Sequence, residues 1–377
     1  MSSARLLHTI DGMFQMQHGS IRNPVIAYEK WGELNSEKSN AVALFTGLSP
    51  SAHAASSADD ASTGWWEGMI GPDRPIDTNK FFVICINSLG SCFGSTGPAS
   101  IDPDTGELYR LDFPVLTIED IASAGHELIR SLGISKLYAV IGSSMGGMTA
   151  LAYSMLFPEA SESLVSISAA RCTLPFGIAL RSLQREMIRN DKLWNKGHYV
   201  GKGPIAGMRM ARKLGMVSYR SAQEWEKRFG RERVSEERKT DDAFCIDFEI
   251  ESYMEAHANK FIGTFDANCY LYLSRAMDLF DAADHGGSLE AGLSRVGAKR
   301  ILIAGVRSDH LFPAHQQREL AVGLDRDDRQ VSYVNLHSIY GHDSFLVDMD
   351  RFRPLISDFF MKEIRPSVVP MVRNLKA

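Results

Sequence analysis

Six short β-rich runs, separated by stretches with helical spacing, constrain this chain more than any other feature. They are AVALFT (41–46), FFVICI (81–86), LYAVI (137–141), LVSI (164–167), RILIA (300–304) and VSYVNL (331–336). Short strands with little polar alternation belong to a sheet covered on both faces. One intervening stretch, 117–132, starts Thr117-Ile118-Glu119-Asp120 in the manner of a capping box and is followed by Gly133. Another, 147–156, stops before Pro158. Strand and helix in alternation predict an α/β fold with a mostly parallel sheet.

The alternation lapses between about 176 and 292. That segment is rich in Arg, Lys, Glu, Met and aromatics at helical spacing, and the strand pattern resumes only at Arg300. The expected organisation is a first core part over 1–175, a helical lid over 176–295 and a second core part over 296–377. The lid is expected over the C-terminal edge of the sheet, where α/β folds place their sites.

Composition narrows the function classes. With 377 residues, 44% hydrophobic and 23% charged, the chain can build one large core. The net charge of -5 gives no basic face for nucleic acid. No apolar run approaches the roughly 20 residues of a membrane span, and the first residues do not read as a secretory signal. Five scattered cysteines, without a Cys-x-x-Cys or a metal-ligand spacing, read as reduced core thiols. The expectation is a soluble cytoplasmic protein with no metal, no cofactor, no nucleic-acid partner and no membrane partner.

The chemistry is carried by VIGSSMGGM (140–148), where an apolar run ends in Gly-x-Ser-x-Gly and a helix pattern follows. The motif alone is weak, but strand–turn–helix is the context it requires. The tight turn exposes the Ser144 hydroxyl, Gly142 and Gly146 let neighbouring chain pass close by, and the helix N-terminus favours developing negative charge. Ser144 is the candidate nucleophile.

A serine nucleophile needs a base, and the base needs an orienting acid. In this topology the acid and then the His should follow late strands. RILIAGVRSDHLFP places Asp309 in the loop after its strand; Asp325, Asp327 and Asp328 are alternatives at the wrong end of the sheet. VSYVNLHSIYGHDSFL offers His337 and His342, of which His342 has a loop long enough to reach the serine. An oxyanion hole needs two backbone N–H groups. Met145, directly after the nucleophile, and Leu48, in the loop after an early strand, are the candidates. Cys92 and His53 lie near these motifs without a neighbour that marks them as nucleophile or base.

With these pieces placed, the sequence resembles the homoserine O-acyltransferase branch of the α/β-hydrolase superfamily. The matching blocks are NSLGSCFGSTGPASIDPDTGELYRLDFPVLTIEDI (87–121), VIGSSMGGM, ARKLGMVSYRS (211–221), FDANCYLYLSRAMDLFD (265–281) and GHDSFLVD (341–348), and the likeness runs over about 28–360. The resemblance implies an α/β-hydrolase fold with a helical lid, homodimers formed through lid helices, and ping-pong acyl transfer from an acyl-CoA through an acyl-serine. It puts the nucleophile on Ser144, the acid on Asp309, the base on His342, and substrate binding on Arg185 and Asp343. A zwitterionic amino acid suits such an arginine and aspartate.

Two departures point to donor and acceptor. Where homoserine acetyltransferases commonly have Phe-Asn-x-x-x-Arg, this chain has Arg181 at the asparagine position, on the helix face of Arg185. A further guanidinium suits the free carboxylate of a succinyl group. Pro50, at a position where homoserine enzymes tend to have Gly, stiffens the loop Pro50-Ser51-Ala52-His53. With TGWWEGMIGP, that loop resembles the serine-acylating members, among them bacterial serine O-succinyltransferases. The expectation is transfer from succinyl-CoA to L-serine, giving O-succinyl-L-serine for cysteine synthesis. The alternatives are serine or homoserine O-acetyltransfer from acetyl-CoA, and a lidded esterase or thioesterase.

Overall fold

The computed structural model describes residues 3–361; the end of the expected second core part, 362–377, lies outside them. An eight-stranded sheet forms the centre. Its strands are β1 (Leu6–Thr9), β2 (Val25–Trp31), β3 (Ala41–Phe45), β4 (Phe82–Ile86), β5 (Leu137–Ser143), β6 (Ser161–Ile167), β7 (Arg300–Val306) and β8 (Gln330–Leu336). Their order across the sheet is β1-β2-β4-β3-β5-β6-β7-β8. β1 pairs antiparallel with β2, and β2 antiparallel with β4. All other neighbours are parallel.

Burial explains why the apolar runs are strands. Every residue of β3, β4 and β7 is buried. In β3, Ala41, Ala43 and Phe45 join the apolar layer on one face, while Val42 and Leu44 join the layer on the other. That period of two requires apolar side chains at every position. The first layer is covered by α1 (Ile118–Ser131), α2 (Met145–Leu156) and α9 (Ala314–Leu324), and the second by α10 (Met349–Met361). The capping box forms at α1: Thr117 Oγ1 accepts from the Asp120 N–H, and the Asp120 carboxylate accepts from the Thr117 N–H.

Strands β1 and β2 have no counterpart among the six runs read from the sequence. The burial of β1 is slight, with Leu7 59% exposed, so it lacks the apolar signature. In β2 the fully buried Glu29 and the exposed Lys30 interrupt the pattern.

Between Ile167 and Arg300 the chain adds no strand to the sheet. It forms α3 (Pro175–Asn190), α4 (Ile205–Tyr219), α5 (Ala222–Phe229), α6 (Glu249–Phe261), α7 (Ala267–Leu279) and α8 (Leu289–Ser294). α3 packs on α4 and α7, and α4 on α6. β6 and β7 nevertheless pair directly, Ile167 opposite Ala304. The insertion therefore leaves and re-enters the sheet between neighbouring strands.

Candidate active site

The C-terminal ends of β5, β7 and β8 carry the residues singled out above. β5 runs into Ser144, whose backbone sits at φ 55° and ψ -124°. That left-handed conformation costs a non-glycine residue on the order of 1–3 kcal/mol and persists only where neighbours enforce it. Here they do. The Ser144 N–H donates to the Ile167 carbonyl of β6 at 2.9 Å, and the Ser144 carbonyl accepts from Gly147 and Met148 as α2 begins. A Cβ on Gly142 would collide with the Gly146 carbonyl, and one on Gly146 with the Phe45 carbonyl of β3. Both glycines are therefore required by close approach of backbone.

The Ser144 hydroxyl lies 2.8 Å from His342 Nε2. His342 Nδ1 lies 2.8 Å from Asp309 Oδ2. The other Asp309 oxygen accepts from the N–H groups of Leu311 and Phe312, each at 2.9 Å. A carboxylate only accepts, so Nδ1 carries the proton and Nε2 is left to accept from Ser144. Burial pushes the His342 imidazole down. The charge and hydrogen bond of Asp309, with help from Asp343, outweigh burial and opposing Arg181, and the pKa is raised above its ordinary value. His337 and the carboxylates Asp325, Asp327 and Asp328 take no part in this chain of contacts.

The serine opens into a cavity between the sheet edge and the insertion. Leu48, Pro50, Ser144, His342 and Asp343 line its core side; Arg181, Gln184, Ser218, Tyr219, Tyr270 and Met277 line the other. Leu48 thus borders the serine. Met145 opens α2, and a first-turn N–H has no acceptor within its own helix.

Arg181 is 4% exposed and lines this cavity. Its Nε donates to Asp278 Oδ1 at 2.6 Å, while its Nη2 is buried with no partner among the described residues. The acid it meets is therefore on α7, across the insertion. The structure does not bring Arg185 to the cavity wall. Its Nη1 donates to Ser274 Oγ at 3.0 Å and lies 2.7 Å from Asp278 Oδ2, so two groups on α7 already engage it.

Asp343 does line the cavity, but Arg220 Nε stands 3.1 Å from its Oδ2. Burial raises its pKa, against the pull of Arg220, His342 and Arg212. Of the 50–53 loop, Pro50 reaches the cavity and Ser51, Ala52 and His53 do not. His53 turns the other way, with Nδ1 2.9 Å from Glu29 Oε2 and Nε2 2.9 Å from the Ser62 carbonyl. The Trp65 indole donates to the Ser51 carbonyl at 3.0 Å and stacks on the fully buried Trp66. The loop is thus braced from behind by groups outside the cavity lining. Cys92 accepts from the Asp266 N–H at 3.3 Å, outside the cavity wall.

Sequence reasoning did not single out Arg212, which lies close to the cavity without being among the residues that line it. Its guanidinium lies 4.7 Å above the Phe261 ring, and its Nε is buried with no partner among the described residues. It is close enough to pull on Tyr219, Tyr270 and Asp343, all of which line the cavity. A signal existed. Arg212 precedes Tyr219 by seven residues on α4, and seven residues is two helical turns, hence one face. Among the described residues, no group of three or more His, Cys, Asp or Glu side chains could hold a metal ion. No helix among them is long and apolar enough to cross a membrane.

Comparison with known proteins separates the chemistries that such a serine site can serve. A family model described as alpha/beta hydrolase fold matches residues 46–346. A serine O-succinyltransferase of Litchfieldella anticariensis is 56% identical over 95% of this chain and 99% of its own length. The chain belongs to the serine O-succinyltransferase family. Among solved structures, a homoserine O-acetyltransferase from Bacillus anthracis superposes with a TM-score of 0.87 at 28% identity, covering 96% of this chain and 98% of its own. An esterase, E22, superposes at 0.85 and 32% identity, covering 94% and 99%. Shape is therefore shared by transferases and a hydrolase, and the family places this chain with transferases.

Proposed function

We propose that this protein is a serine O-succinyltransferase working through an acyl-enzyme on Ser144. The observation that carries this reading is the pairing, in one cavity, of the Ser144–His342–Asp309 chain with a buried guanidinium whose Nη2 has no partner among the described residues. The membership of the family supports it independently.

The chemistry follows from the contacts. Ser144 Oγ attacks the thioester carbonyl of succinyl-CoA as His342 Nε2 takes its proton. The oxyanion is held by the N–H groups of Leu48 and Met145. The tetrahedral species collapses, the C–S bond breaks, and His342 returns the proton to the departing CoA sulfur. The hydroxyl of L-serine then enters, gives its proton to the same nitrogen and attacks the acyl carbon. Ser144 leaves with a proton, and O-succinyl-L-serine is released. Asp309 keeps the imidazole in the required tautomer throughout.

Recognition divides between two arginines. Arg181 Nη2 receives the free carboxylate of the succinyl group. Arg212, whose Nε is buried with no partner among the described residues, suits the carboxylate of the acceptor, and Asp343 on the cavity wall suits its ammonium, whereas Arg185 already gives Nη1 to Ser274 and Asp278 of α7. Pro50 borders the acceptor side and limits its length. The insertion serves as a lid that excludes water, the competing acceptor. Its exposed Phe176, Leu183, Met210 and Val217 support a homodimer formed through the lid. The dispersed, unpaired cysteines support a cytoplasmic setting.

The test is CoA release in a two-by-two grid of succinyl-CoA or acetyl-CoA against L-serine or L-homoserine. The highest turnover is expected with succinyl-CoA and L-serine. Highest turnover with acetyl-CoA and homoserine would sink both specificity assignments, and CoA release without any amino acid would make the protein a thioesterase.

A further inference from the structure

Asp278 has no part in the reaction just described, yet it is an acid that Arg181 and Arg185 of α3 both meet. It sits on α7 with its side chain 9% exposed. Oδ1 accepts from Arg181 Nε at 2.6 Å, and Oδ2 lies 2.7 Å from Arg185 Nη1. Arg181 and Arg185 are four residues apart, so they present themselves on one face of α3 toward α7.

From this arrangement we propose that Asp278 is the positioning residue for donor selection, resting on the reading that Arg181 receives the succinyl carboxylate. Two features of the geometry carry it. The first is direction. Asp278 grips the guanidinium at Nε and so fixes its plane, and Nη2, beside Nε, is buried with no partner among the described residues, in a residue lining the cavity. Gly177, one turn earlier, leaves the room: a Cβ there would stand 3.2 Å from Nη2. The second feature is charge. Two guanidinium groups and one carboxylate leave a single net positive charge, enough for one incoming carboxylate. Without Arg185, Asp278 would neutralise Arg181 outright. Arg185 thus acts through Asp278 to leave Arg181 available, rather than by touching the acceptor.

Steady-state kinetics on the full-length enzyme test this. kcat/KM is measured for succinyl-CoA and acetyl-CoA, with L-serine as acceptor, in wild type, Arg181→Asn, Asp278→Asn, Asp278→Glu and Arg185→Gln. Losing a charge-assisted contact to the donor should lower kcat/KM for succinyl-CoA about 10- to 100-fold in Arg181→Asn and about 10-fold in Asp278→Asn, mostly through KM. Use of acetyl-CoA should stay within about threefold in both, because acetyl carries no carboxylate. Asp278→Glu should recover part of the preference. Arg185→Gln should also lower the succinyl-to-acetyl ratio and leave KM for serine nearly unchanged.

Equal losses on both donors in Asp278→Asn and Arg185→Gln would overturn the proposal and leave Asp278 a structural contact. A raised KM for serine in Arg185→Gln, with the donor ratio intact, would overturn it in favour of acceptor binding by Arg185. Arg185→Gln keeps these outcomes readable should Asp278→Asn not fold. A wild type with no preference for succinyl-CoA, or an Arg181→Asn that keeps the preference, would overturn the underlying donor assignment. A lost preference in Arg181→Asn alone would overturn only the role of Asp278.

Discussion

The two walls of the cavity are built by different means. On the sheet side, the reacting groups follow the ends of strands, and backbone hydrogen bonds fix two of them, Ser144 to Ile167 and Asp309 to Leu311 and Phe312, with His342 held between the pair. On the insertion side, the charged group at the wall, Arg181, is a long side chain held by another side chain, Asp278 of α7, which Arg185 behind it also meets. Chemistry is anchored to backbone and recognition to rotamers. The first wall should therefore fail all at once when altered, and the second by degrees.

Four changes test that contrast, from the largest effect down. Ser144→Ala removes the nucleophile, and kcat should fall by about 10⁵–10⁶, read as loss of both CoA release and acyl-enzyme by mass spectrometry. Substantial residual acyl-enzyme would break the comparison at its root. Asp309→Asn should lower kcat by about 10⁴ through the wrong imidazole tautomer. It should also move the acid limb of kcat/KM. The base works only when neutral, and its pKa is raised chiefly against burial by Asp309. Wild type should thus lose activity below a pKa above the ordinary His value of about 6.5, and the variant at a lower pH. A limb that moves upward or stays would contradict the hydrogen-bond assignment.

On the other wall, Arg212→Gln should raise KM for serine about 10- to 100-fold while kcat changes little, since one charge-assisted contact is removed. A collapse of kcat instead would show that this wall, too, holds reacting groups. The smallest effect is expected at the loop. Pro50→Gly should shift the serine-to-homoserine ratio of kcat/KM by about 10-fold or less, on the scale of one methylene in a pocket. An unchanged ratio would remove Pro50 from acceptor choice.

The same contrast decides what was legible in the sequence. The buried strands, the serine turn and the order of Ser, acid and His are written locally, because a strand buried on two faces is apolar throughout and a tight turn needs Gly142 and Gly146. The edge strand β1, half open to solvent, carries no such pattern and went unread. On the recognition wall, Arg181 was legible as an additional charge, but its partner lies 97 residues away and helical spacing does not reveal it. For the same reason the parts of Arg185 and Arg212 are not written in the sequence: each is an arginine on a helix, and only packing shows that Arg185 Nη1 meets Ser274 and Asp278 while Arg212 Nε is buried with no partner among the described residues. The 50–53 loop was read as one unit, whereas the Glu29 carboxylate, buried behind it, turns His53 inward and leaves Pro50 alone at the cavity.

Strands β6 and β7 hydrogen-bond side by side although the chain departs at Ile167 and returns at Arg300. Closing so long an excursion is entropically forgiving, because the cost grows only with the logarithm of loop length, about 0.6 kcal/mol for each doubling. Helices can therefore be lengthened, exchanged or replaced within the insertion while the register of the two strands, and with it the spacing of Ser144, Asp309 and His342, stays as it is. A lineage built on this sheet can explore new acyl donors and acceptors by editing one contiguous stretch of its gene.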